Sequence, residues 1–265
     1  MSNVFGKDFG LEVARGNVPG VTAENKYGRT TNADSGVMTD IHDGADVAGG
    51  SNVIWDAPLA ARIHQVVSSS TDDDGDPAGV GARTLRVTYL PDWNTVETTV
   101  DLTMNGTANV ATPACVIIHR MEVLTFGATN VNVGVIKATA DTDGTITEQI
   151  LAGAGQTQMA IYGVSSLQTF YMTEYYGSIL KATGGAAIAD IIILYNPRAD
   201  QFLAAAAPFI IKHTIGLESV GSSMIEETFL PPKKFLGPCI IKLQTNTNKA
   251  DVDISAGFDG YLVTN

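Results

Sequence analysis

The sequence predicts an all-β fold, an antiparallel β-sandwich with the jelly roll as one form of it, preceded by an extended N-terminal arm. Three observations carry this expectation. From about residue 53 onward, apolar residues alternate with polar ones at period 2. Ten or more short runs rich in Thr, Val, Ile and Tyr follow at short intervals, and Gly, Asn and Asp punctuate them. That is the pattern of many short strands joined by turns. The helical period is nearly absent, and a short helix is expected only around "ADQFLAAAA" at 199–207.

Taken in order, residues 1 to about 50 hold many Gly, Asn, Thr and Asp residues, few apolar ones and no regular period. Such a stretch buries too little surface to fold by itself. It reads as an arm that becomes ordered only against a neighbour, with a merely floppy terminus as the alternative. Residues 51–265 read as one sandwich, since single all-β domains reach ~200–250 residues; a subdivision near 196–200 is the alternative. In "ARTLRVTYL", Leu85, Val87 and Tyr89 share one face and Thr84, Arg86 and Thr88 the other. "PDWN" supplies a turn, and "NTVETTVDL" alternates again, which makes a hairpin with one solvated face. Strands are expected next in "CVIIHRMEVLTF", "VNVGVIKATA", "GTITEQIL", "TQMAIYGV", "TFYMTEYYGSIL" and "AAIADIIILYN". "PFIIKHTIGLE", "PCIIKLQTN" and "DVDISAGFDGYLV" complete the set. Asp143-Gly144, between two alternating runs, is a hairpin-turn signal.

The formal net charge of −12 argues against a nucleic-acid surface, because phosphate contacts need clustered Lys and Arg. Here the one tight basic pair is Lys233-Lys234. Cys115 and Cys239 lie far apart inside apolar runs and read as buried free thiols, with a disulfide as the alternative. "MSNVFGKDFG" lacks the regions of a secretory signal, and no stretch approaches the ~20 apolar residues of a membrane span. A soluble, acidic protein that is intracellular at synthesis is expected, with no membrane partner.

The loop "SSSTDDDGDPAGVGA" packs Asp72, Asp73, Asp74 and Asp76 together. An EF-hand loop needs acids at alternate positions and a Glu six residues after its Gly, and this loop has neither. It reads as a solvated loop feeding a strand, with a weaker Ca²⁺ site as the alternative. His42, His64, His119 and His213 show no zinc-like spacing. His119 falls on the Cys115, Ile117, Met121 and Val123 face, where a hydrogen-bonded core histidine is expected. His42 and Asp43 sit in the irregular arm, a poor scaffold for catalysis. There is no GxSxG and no electropositive setting around either cysteine. "GGAAIAD" lacks a Walker ending, and "GAGQTQ" precedes a strand rather than a helix. Glu174, between Tyr171 and Tyr175-Tyr176, reads either as ordinary sheet packing or as the lining of a sugar groove. A glycosidase needs two carboxylates across a groove, and Glu148, Glu174, Glu226 and Glu227 offer no evident pair. The expectation is no enzyme, and no catalytic, metal or cofactor residue.

Several segments, in their order, carry a resemblance. These are "KYGRTTNADSG", "VIWDAP", "STDDDGDPAGVGARTLRV", "GAGQTQMAIYGV" and "PPKKFLGPCIIKLQTNTNKADVDISAGFDGYLV". The chain resembles a group of virion structural proteins of tailed bacteriophages, in which an acidic loop leads into a "GART" strand and a "DVSAGFDG"-like strand closes the chain. "GARTLRV", "GQTQMAIY" and "ISAGFDGYLV" are its most distinctive parts. The resemblance implies a non-enzymatic capsid decoration, or cement, protein on the exterior of the virion, made in the host cytoplasm. Its implied partners are the major capsid protein and further copies of itself, a trimer being favoured. A tail or head fibre component is the alternative, and a carbohydrate-binding module a more distant one.

Overall fold

The computed structural model describes residues 8–43, 60–182, 185–201, 209–220 and 223–265. Among them the chain is all-β: four antiparallel sheets and a single helix of six residues. "VIWDAP" and most of the helix expected at 199–207 lie outside the described residues.

The N-terminal segment is built into the body. Helix α1 (Phe9–Ala14) is capped by Asp8, whose carboxylate accepts from the Leu11 N–H, and Phe9 meets the Tyr261 ring edge-on. Strand β1 (Val21–Ala33) follows, then β2 (Thr39–Asp40). β1 runs antiparallel to the last strand of the chain, from Val21 opposite Val263 to Ala33 opposite Val252. Residues expected to order against a neighbouring molecule therefore pair within their own chain. The reason the period was invisible is physical. The buried positions of β1 include Lys26, Gly28 and Thr30, which no hydrophobic pattern registers.

The next stretch forms β3 (His64–Ser68), β4 (Ala82–Leu90), β5 (Thr98–Thr103), β6 (Val110–Ala111), β7 (Ile117–Phe126), β8 (Ile136–Ala140) and β9 (Ile146–Ile150). They make two sheets, ordered β6-β3-β8-β9 and β5-β4-β7. The expected hairpin is present as β4 and β5, with Leu85, Val87 and Tyr89 buried and Arg86 paired outside with Asp101 at 2.8 Å. Both sheets feed one core that includes Val66, Leu85, Val87, Ile118, Met121, Ile136 and Ile150. Asp143-Gly144 turns β8 into β9, with Gly144 at φ 69°.

The remainder forms β10 (Ile161–Val164), β11 (Gln168–Lys181), β12 (Ile188–Asn196), β13 (Ile210–Glu218), β14 (Met224–Leu236), β15 (Cys239–Thr247) and β16 (Val252–Thr264). Their sheets run β1-β16-β11-β14 and β10-β15-β12-β13, with β2 added to β15. A second core takes Phe170, Tyr175, Ile254 and Phe258 from the first of these sheets, and Ile191, Ile193, Ile241 and Leu243 from the other. The stretch 196–200 lies between β12 and β13, which are hydrogen-bonded neighbours. The chain passes from the first core to the second between β9 and β10. A third cluster bridges the two, packing Leu90, Trp93 and Ile117 against Met159, Ile161 and Ile240.

Candidate functional site

Where β1 meets the first core, titratable groups are concentrated. Alternation along the strand turns Lys26 inward, where it is almost fully buried, and its ammonium donates to the carbonyl of His119 on β7. Glu148, wholly buried on β9, is the largest opposing charge acting on it. Desolvation dominates both groups, pushing Lys26 down to about 8 and Glu148 up to about 8. His119 accepts from the Gly163 N–H at Nε2, 3.1 Å away, so Nδ1 carries the proton and donates to the Glu97 carboxylate. The ring stacks on Tyr162 with centroids 4.2 Å apart. Burial lowers the pKa of His119. Burial pulls Glu97 upward, and His119, Lys26 and Arg120 together more than offset it, leaving Glu97 below the usual range.

Glu24, Glu97, His119, Arg120, Glu122 and Tyr162 line a small open cleft of about 130 Å³ beside this network. Burial, then the charge of Glu97, raises Glu24 to about 7. Arg120 donates to the Asn25 carbonyl at 3.0 Å. Beneath it, burial lowers His42 to about 4 and raises Asp43 to about 7, and Gln149 donates to the Asp43 carbonyl at 2.8 Å. The chain crossing here requires Gly28. A Cβ at that position would stand 2.5 Å from the Ile41 carbonyl oxygen and 2.7 Å from the Ala160 nitrogen. The irregular arm in which His42 and Asp43 were placed is thus a packed polar interior. The arrangement ties strands together: His119 donates from Nδ1 to Glu97, accepts at Nε2 from Gly163 of β10, and accepts at its backbone carbonyl from Lys26 of β1.

A second grouping lies on the open face of the β1-β16-β11-β14 sheet. Register brings Asn25 and Tyr27, Asp259 and Tyr261, Tyr171 and Tyr176, and Glu226 onto that face. The Tyr176 ring lies across Gly257, where an added Cβ would meet its hydroxyl at 2.5 Å. Asn25 donates to Asp259 and, at 3.4 Å, to the Tyr176 hydroxyl. Partial desolvation, then Asp259 and Glu226, raises the pKa of Glu174. Glu174 and Glu226 therefore do share surroundings, contrary to the expectation from sequence, while Glu148 is remote from them. Tyr175 leaves the cluster altogether. It turns into the core, stacks on Phe229, and its hydroxyl meets Nδ1 of His213 at 2.7 Å. The missing signal was pairing, since Asp259 reaches Glu174 only through strand register.

The aspartate loop divides by residue. Asp72 and Asp76 are exposed, and Asp74 caps the Asp76 N–H at 2.9 Å. Asp73 is fully buried. Its Oδ1 accepts from the N–H groups of Ala82 and Val133, both at 2.8 Å, and its Oδ2 from the Gly134 N–H at 2.8 Å and the Ser68 hydroxyl at 2.6 Å. The expectation of a wholly solvated loop is corrected here, because Asp73 pins the loop to the start of β4 and to residues 133–134. Cys115 and Cys239 are free and buried, and burial pushes the Cys115 thiol up to about 12. His64 is buried, with Nδ1 beside the Arg62 carbonyl at 3.1 Å. Among the described residues no group of three or more His, Cys, Asp or Glu side chains is arranged to hold a metal, and no helix is long and apolar enough to cross a membrane. No protein-family model, no curated protein and no solved structure matches the chain.

Two outcomes are expected. Asp73→Ala leaves three backbone donors and a hydroxyl without an acceptor and should cost about 4 kcal/mol, whereas exposed Asp72→Asn should cost no more than about 0.5 kcal/mol; equal urea midpoints for the two variants would refute the assignment. The pH dependence follows from the polar interior. Glu24, Asp43 and Glu148 keep protons in the fold that the unfolded chain releases above its ordinary carboxylate range, so their contribution is lost as pH rises toward 7–8. His42 and His64, held near 4, oppose this only below about 6.5. Stability should therefore fall between pH 6.5 and 8. In the same buffers at pH 8, Lys26→Met should cost about 3 kcal/mol and the Lys26→Met/Glu148→Gln pair much less. A flat profile, with the pair as unstable as the single variant, would contradict the network.

Proposed function

We propose that this is a non-enzymatic structural protein of a tailed-phage particle, a decoration protein that binds the outside of the capsid across junctions between major capsid proteins. One observation carries the reading. Among the described residues, the five most exposed large apolar side chains are Leu230 (95%), Met224 (70%), Val220 (68%), Ile211 (61%) and Leu236 (53%). All five lie on β13, β14 or the segment between them, at the edges of two sheets. Apolar edge strands invite pairing and are normally blunted or covered, so a protein that keeps them is built to assemble. The resemblance stated for the sequence names the kind of assembly, and the acidic balance of −12 suits copies crowded on a particle.

We read the sheets β1-β16-β11-β14 and β10-β15-β12-β13 as the two layers of a sandwich, because one core draws on both. The tyrosine face supports a second reading, a fibre component that meets host carbohydrate. A ring lying flat with carboxylates beside it suits a sugar, whose C–H face stacks while its hydroxyls donate.

One measurement separates the two. Quantitative mass spectrometry of purified particles should find this chain at nearly one copy per major capsid subunit. A ratio of a few per cent would overturn decoration and move the protein to the tail, with the Tyr176 face as its receptor surface.

A further inference from the structure

β14 ends its sheet, and no strand among the described residues pairs with its outer edge. Its sequence, "MIEETFLPPKKFL", is complementary to its own reverse about Leu230. Turned antiparallel against a copy of itself, the strand sets Glu226 opposite Lys234, Glu227 opposite Lys233, Met224 opposite Leu236 and Ile225 opposite Phe235. Leu230, the most exposed large apolar side chain described, falls on the axis. We propose that two copies of this chain associate through β14 about a two-fold axis at Leu230.

The chemistry favours this occupant over others. Glu226, Lys234, Met224 and Leu236 are exposed on the same sheet face, so the apolar and charged pairs form together. Lys233 is half-buried over the Phe229 ring at 4.2 Å, which holds its charge near the edge. A parallel approach would set Glu226 and Glu227 against their own copies, and the lysines likewise, which like charges oppose. Pro231 and Pro232 have no N–H, and the ladder to β11 is already broken between Thr228 and Lys233. The contact therefore rests on side chains rather than on a continuous ladder, and the prolines bar open-ended strand addition. A self-complementary patch closes as a pair, whereas a three-fold ring needs two different surfaces to meet.

The inference rests on this edge being an assembly surface, but not on the particle to which the protein belongs. Sedimentation of the full chain at tens of micromolar and low salt should give twice the mass of one 27.9 kDa chain. The variants E226K/E227K and K233E/K234E should each sediment as monomers that keep the far-UV circular dichroism of the natural chain and a cooperative melting transition. Mixed in equal amounts, they place every lysine opposite a glutamate again and should restore the dimer. A monomeric or trimeric natural chain, charge variants that remain dimeric, or a mixture that stays monomeric overturns the two-fold contact. None of these results bears on copy number in the particle, so the decoration reading stands or falls separately.

Discussion

An ammonium group removed from water constrains this molecule more than any other single group. Lys26 sits almost without solvent between two cores, donating to the His119 carbonyl with Glu148 as its main opposing charge. Burying an ion costs several kcal/mol unless it is well paired and hydrogen-bonded. The partners of Lys26 come from two other strands, His119 on β7 and Glu148 on β9, and Tyr162 on β10 stacks on His119 in turn. β1 can therefore occupy only one place, and in that place it holds both halves of the chain together. Gly28 one turn of the pleat later, pressed against the backbone of Ile41 and Ala160, allows the approach. The bridging apolar cluster around Trp93, Ile117 and Ile161 supports the same junction without charge.

The N-terminal segment works as a clasp. β1 extends one sheet by pairing with β16, and β2 extends the facing sheet by pairing with β15, where Lys242 and Asp40 form a buried ion pair at 2.9 Å. At its outer edge β1 meets the chain again where the Arg29 N–H donates to the Gln158 carbonyl at 3.4 Å. On the opposite side β13 and β14 remain open, and there the exposed apolar residues gather. The N-terminal side is thus rich in polar contacts, and the side of β13 and β14 is apolar.

Much of the fold was legible in the residues themselves. Period 2 located β4 and β5, their buried face and their turn, because one face of that hairpin is solvated and the other meets an apolar core. β1 was not legible, since its inner face carries Lys26, Gly28 and Thr30 and packs on polar groups; hydrophobic alternation does not report a strand whose core is ionic. The site was legible in part. His119 was expected to be a bonded core histidine and is one, while its partner Glu97 lies 22 positions away, with β5 and β6 between them. Asp73 differs from its neighbours through Ser68, Ala82, Val133 and Gly134, the last two approaching it from another loop. The grouping of Glu174, Asp259 and Glu226 likewise arises from register between long strands, which spacing along the chain does not encode.

Hydrogen exchange of the intact chain, followed segment by segment, tests the central claim most directly. If buried ionic chemistry makes β1 part of a single body, amides of residues 21–30 should exchange as slowly as those of β16 and β9. Rapid exchange in 21–30 beside slow exchange in β16 and β9 would mean that the segment frays as an arm, and that the two cores are held together by something other than Lys26 and its partners.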